Sequence, residues 1–117
     1  MRRLIVTIVF TVFWSATVMA ADPDGHYVVH GFGTSKCQSW VQYHKAVGEA
    51  FYLESGWVAG YLTAYNAYVW PSADVADGVQ TDDYEAWMDT YCGTHPFDSL
   101  SNAANALVTE LKNRKHP

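Results

Sequence analysis

The sequence predicts an all-α protein: a small four-helix domain, orthogonal or bundle-like, closed by one disulfide and preceded by a cleaved signal peptide. Three observations carry this. Apolar residues recur at i, i+3, i+4 and i+7 in successive stretches, the spacing of one helix face. Gly48, Pro71 and Gly93 fall between those stretches, where helices break. Two cysteines, Cys37 and Cys92, stand at the start of the first stretch and the end of the third.

The leader comes first. Met1-Arg2-Arg3 is followed by an apolar run from Leu4 to Trp14 and then by Val18-Met19-Ala20-Ala21. A basic start, an apolar centre and small residues at the end form a signal-peptide pattern, with the cut expected after Ala20. The run is shorter than the ~20 residues that span a bilayer, so no stable membrane insertion is expected after cleavage. The organisation is then residues 1–20 as signal peptide, 21–33 as an extended arm and 34–117 as the helical domain. The destination is the periplasm or the exterior.

Cleavage removes two of the seven basic residues and none of the 12 acidic ones, so the formal charge moves from −5 to −7. Such a chain is a poor partner for nucleic acid, which rewards basic surfaces, and for anionic lipid. In an oxidising compartment an even pair of cysteines is most simply a disulfide. It would close a long loop and contribute ~2–4 kcal/mol. Zinc is the weaker reading, because Cys37 and Cys92 lack the close spacing of metal-binding cysteines.

Within the arm, ADPDGHYVVHGFG, Asp24-Gly25 signals a turn and Gly31 and Gly33 are breakers. Residues His26 to His30 either add a short strand or lie across the helices. Thr34 or Ser35 is placed to cap a first helix over about 35–46, with Cys37, Trp40, Val41 and His44 on one face.

The central helix is read from Gly48 to Trp70. Trp57, Tyr61, Tyr65 and Tyr68 form an aromatic stripe, with Val58, Leu62 and Val69 as an aliphatic stripe beside it. Gly56, Gly60, Thr63 and Ala67 form a ridge of small residues, expected to pack against another helix or a second copy in a homodimer. Ser55, Ala59 and Asn66 are left to face water.

Pro71 ends this helix. Residues 71–80 read as a polar loop without calcium-loop spacing. Thr81 is placed to cap a third helix, with Asp82 and Asp83 at its favourable dipole end. Tyr84, Trp87, Met88 and Tyr91 form its face, and Cys92-Gly93 its end. Asp98 or Ser99 caps the last helix, whose apolar face is Leu100, Ala103, Ala104, Leu107, Val108 and Leu111.

Two resemblances follow from these elements. Lys36-Cys37-Gln38-Ser39-Trp40, the Trp57-Val58-Ala59-Gly60-Tyr61-Leu62 segment, and Cys92 followed by Pro96 and an amphipathic helix resemble the HdeA/HdeB family, small periplasmic acid-stress chaperones of Gram-negative bacteria. The W-x-x-G-Y-x-x-A run and the C-x-x-x-P segment also look like the Rap1a family, whose members include immunity proteins against exported antibacterial effectors. The chain departs from the Rap1a pattern in having two cysteines, and from HdeA in its aromatic-rich centre and its Gly31–Gly33 arm. The resemblance implies a scaffold and no catalytic residues.

No catalytic or cofactor signature is present. Ser99, Asp98 and His95 are adjacent in sequence, which is not the geometry of a triad. Glu54 and Asp89 are candidates for an acid–base pair, yet nothing in the sequence sets their separation. No enzyme activity, metal or cofactor is therefore expected. With eight tyrosines, the chain is rich in recognition residues. Tyr65, Tyr68, Trp70, Asp74, Asp77 and Tyr84, around the 71–80 loop, are the candidate partner-binding set. The expected function is that of an exported, non-enzymatic protein-binding module, such as an immunity protein or inhibitor. Its alternatives are an acid-stress chaperone and a structural accessory of an envelope or secretion complex.

Overall fold

The computed structural model describes residues 21–115, so the signal-peptide expectation for 1–20 lies outside the described residues. A 3₁₀ turn at Gly31–Thr34 is followed by α1 (Cys37–Ala46), α2 (Glu49–Tyr68), α3 (Thr81–Thr94) and α4 (Leu100–Lys115). Among the described residues the fold is all-helical, apart from one isolated antiparallel bridge between Lys36 and Ser99. The arm adds no strand; it lies across α2 and α4.

The core is built from one stripe of each helix. Trp40, Val58, Met88, Leu100, Leu107 and Leu111 are all essentially inaccessible. On α4, every apolar-face residue named from the sequence is buried. Cys37 and Cys92 are bonded, with their Cα atoms 4.7 Å apart and no exposure, and tie the first turn of α1 to the last turn of α3. Among the described residues no helix is long and apolar enough to cross a membrane.

The helix starts depart from the sequence reading in an instructive way. Neither Thr34 nor Ser35 caps α1; Lys36 holds the cap position without a side-chain bond to the helix backbone. The first-turn donors that lack an intrahelical partner are satisfied from another part of the chain: Cys37 N–H donates to Asp98 O (2.8 Å) and Gln38 N–H to Pro96 O (3.0 Å). At α3 the cap is Gln80, in a reciprocal capping box with Asp83, and Thr81 is the first helical residue. Ser99 does cap α4, accepting from Asn102 N–H (3.2 Å). At the end of α1, Val47 adopts a left-handed φ of 47°, a costly conformation for a β-branched side chain.

α2 is rotated relative to the sequence reading. The small ridge of Gly56, Gly60, Thr63 and Ala67 is exposed, and a Cβ added at Gly56 or Gly60 would meet nothing within 4 Å. The sector assigned to water is instead partly covered. Ser55 donates to Glu85 on α3, while Asn66 donates to Asp74 Oδ1 (2.9 Å) and accepts from Val75 N–H (2.9 Å). The reason is energetic. Small residues expose little apolar area, so leaving them in water costs little. The polar residues on the neighbouring sector gain tertiary hydrogen bonds.

The 71–80 segment is also more than a polar loop. Val75 is fully buried and Ala76 nearly so, making the loop a plug in the core. Asp74 holds it, accepting from Ala76 N–H (2.9 Å) as well as from Asn66.

Candidate functional site

α2 presents Tyr61, Tyr65 and Tyr68 at i, i+4 and i+7, one stripe of the helix. This stripe borders the buried Val58 and Leu62, so Tyr61 and Tyr65 are half-buried beside the core while Tyr68, near the helix end, is 88% exposed. Alongside lies the N-terminal arm. Its course is set by the 3₁₀ turn, where Gly33 sits directly against the Trp57 ring; a Cβ there would come within 2.1 Å of Trp57 Cζ2. Trp57 Nε1–H also donates to His30 O (2.8 Å), pinning the arm to α2.

This course brings Tyr27 against α4. Asn105 on α4 joins two tyrosines: Tyr61 O–H donates to Asn105 Oδ1, and Asn105 Nδ2–H donates to Tyr27 Oη (2.8 Å). Three separate elements are thus linked by one hydrogen-bonded chain. The resulting groove has a volume of about 320 Å³ and is walled chiefly by Tyr27, Tyr61, Tyr65, Tyr68, Val69 and Asn105. Its surface is mainly apolar, with phenol and amide groups at fixed points. Burial pushes the Tyr61 phenol above its ordinary range, with the neighbouring Tyr27 and Tyr65 phenols acting in the same direction. Tyr61 is therefore a neutral hydroxyl at physiological pH, a donor rather than a charge.

Of the six residues singled out from the sequence, Tyr65 and Tyr68 meet in this groove. The other four do not form part of it. Trp70 packs against the core beside Tyr65, with ring centroids 6.3 Å apart. Asp74 is spent on the loop, and Tyr84 is buried at 8% exposure. Asp77 is exposed and lies 3.6 Å from Lys115 Nζ, a surface ion pair. Tyr84 fails as a surface residue because its helix face is the one that carries Met88 and Cys92 into the core. Tyr61 was legible as part of the aromatic stripe. Tyr27 and Asn105 carried no sequence signal, since only the path of the arm brings them to α2.

A second cleft, of about 410 Å³, is lined by Val41, His44, Lys45 and Asp89. Its polar pair joins α1 to α3. Asp89 Oδ1 accepts from Trp40 Nε1–H (2.8 Å) and lies 2.7 Å from His44 Nδ1, while the imidazole stacks on Phe51 at 4.1 Å. This orients His44 as an interhelical clamp, with Asp89 engaged by both partners. The residues adjacent at 95–99 are likewise committed separately. Asp98 accepts from Tyr91 O–H (2.8 Å), His95 Nδ1 lies against Tyr91 O (2.9 Å), and Ser99 pairs with Ser101 (2.9 Å). They make no triad.

Comparison with known protein families, with curated proteins and with solved structures finds no match to this chain.

Proposed function

We propose that this is an exported, non-enzymatic module that binds a protein partner through the tyrosine groove. The carrying observation is that groove: four tyrosines around an apolar channel, two of them braced by Asn105 and one, Tyr68, 88% exposed. Tyrosine offers large apolar area with few rotatable bonds and a polar tip, the combination enriched at protein interfaces. The disulfide suits an oxidising compartment, and we place the protein in the periplasm or outside the cell. An inhibitor or immunity role fits the acidic balance of the chain, which favours association with a basic partner.

The test uses Tyr27→Ala combined with Tyr68→Ala. These rings are 53% and 88% exposed, so the fold should persist in circular dichroism. Capture of a partner from periplasmic extract, quantified against wild type, should fall about tenfold or more if the tyrosines anchor the interface. Undiminished capture by a folded double variant would place the binding surface elsewhere.

A further inference from the structure

The buried carboxyl of Glu54 poses a question of proton counting. Glu54 is on α2 and has no accessible surface. Its Oε1 lies 2.9 Å from Ser39 Oγ on α1, and the same Ser39 Oγ lies 2.6 Å from Lys36 O. A serine hydroxyl has one hydrogen to give. A carbonyl and an ionised carboxylate are both acceptors, so one of the two contacts would lack a hydrogen. A neutral Glu54 resolves this: Ser39 donates to Lys36 O while the Glu54 O–H donates to Ser39 Oγ. The other oxygen, Oε2, is buried without a hydrogen bond, tolerable for the carbonyl oxygen of a neutral acid and costly for a carboxylate.

Among the described residues, the surroundings supply no compensating cation. At the α1 cap, Lys36 directs its ammonium to Phe97 O (3.2 Å). Farther along α1, His44 is paired with Asp89, and Lys45 is exposed at the second cleft. The 3₁₀ turn, Gly31–Thr34, carries no ionisable side chain. On α4 the basic residues gather in the last turn, where Arg114 pairs with Glu110 and Lys115 with Asp77. Glu85 of α3 is engaged by Ser55, the residue after Glu54. Burial raises the pKa of Glu54 above its ordinary value of 4.5, outweighing the opposite pull of the nearby serine hydroxyls.

We propose that Glu54 is a proton-dependent latch: its neutral acid closes the junction between α1, α2 and the base of the arm, and its ionisation loosens that junction. Ser39 connects the latch to the α1 cap. Next to that cap residue, Ser35 ties the 3₁₀ turn to α4: its N–H donates to Phe32 O (3.0 Å) and its carbonyl accepts from Leu100 N–H (2.8 Å). The same turn sets the course of the arm. The proton released on opening goes to solvent.

The direction of the pH effect follows from linkage. A carboxyl whose folded pKa is raised contributes its full stability below the unfolded pKa. That contribution is lost as pH rises from there through the folded pKa, at up to about tenfold in the folding equilibrium per pH unit. Glu54→Gln keeps the shape and a donor for Ser39 but cannot ionise. In urea titrations from pH 4 to pH 8, wild type should lose this contribution as pH rises, while E54Q should lack that part of the slope and be the more stable protein at pH 7. Protection of the Gly31–Ser35 amides, taken relative to their base-catalysed intrinsic exchange at each pH, should fall as pH rises in wild type and hold in E54Q. Identical pH slopes in the two proteins would overturn the latch. Infrared spectra give an independent reading on wild type alone. The spectra are taken at pH 6, and Glu54 is the buried acid among the described residues. A protonated-carboxyl band at that pH supports the latch, and its absence overturns it even if E54Q does not fold.

Discussion

The two ends of α2 are used in opposite ways. Its N-terminal half sends Phe51, Glu54 and Val58 into a junction with α1, sealed close by the Cys37–Cys92 bond and by Trp40. Its C-terminal half turns Tyr65 and Tyr68 toward an open groove completed by a tethered arm together with Asn105 of α4. One helix therefore provides both a closed core and an open surface. The difference lies in what covers each half. Helix-to-helix packing removes side chains from water on the first, whereas the arm contributes Tyr27 and leaves the tyrosine faces accessible on the second.

If the closed end carries the stability, Trp40→Ala should have the largest effect. Trp40 is fully buried, meets Phe51 edge-on at 5.3 Å and donates to Asp89. Its loss should cost about 3–5 kcal/mol in chemical denaturation. A cost below about 1 kcal/mol would mean that the junction is not the stabilising end. Breaking the disulfide by Cys37→Ser with Cys92→Ser comes next, with an expected loss of ~2–4 kcal/mol in the same measurement.

The smallest effect tests the exposed face of α2. Gly56→Ala and Gly60→Ala should each stabilise by about 0.5–1 kcal/mol, since alanine is the better helix former and the added methyl meets open space. Destabilisation, together with a change in solution mass, would show that the ridge packs against a second copy.

The latch bears on the acid-stress alternative. Repulsion among protonated, positively charged groups loosens a protein at low pH. Glu54 works in the other direction, because acid keeps it neutral and the junction closed. A chaperone that opens in acid would have to overcome this contribution.

Much of the fold was legible in the chain. The i, i+3, i+4, i+7 spacing on α4 identified its buried face residue by residue, because a helix buries whichever stripe is apolar. The stop at Pro71 and the cysteine pair were equally readable, since each depends on local chemistry or on a pairing without competitors. On α2 the same reasoning failed for the small ridge. The helix is apolar nearly all round, so periodicity could not say which side a neighbour would cover.

The candidate site was half legible for a similar reason. Tyr65 and Tyr68 share a helix face, and spacing alone places them together. The sequence by itself thus determined the helices, the α4 core face, the disulfide partners and the tyrosine stripe, all properties of local period or composition. Only the tertiary structure decided that Tyr27 and Asn105 complete the groove, that Val75 plugs the core and that Tyr84 is buried. It also decided that Glu54 is buried against Ser39. Each of these depends on which distant segment arrives at a given helix face, and that is set by the competition among all faces for burial and hydrogen bonds.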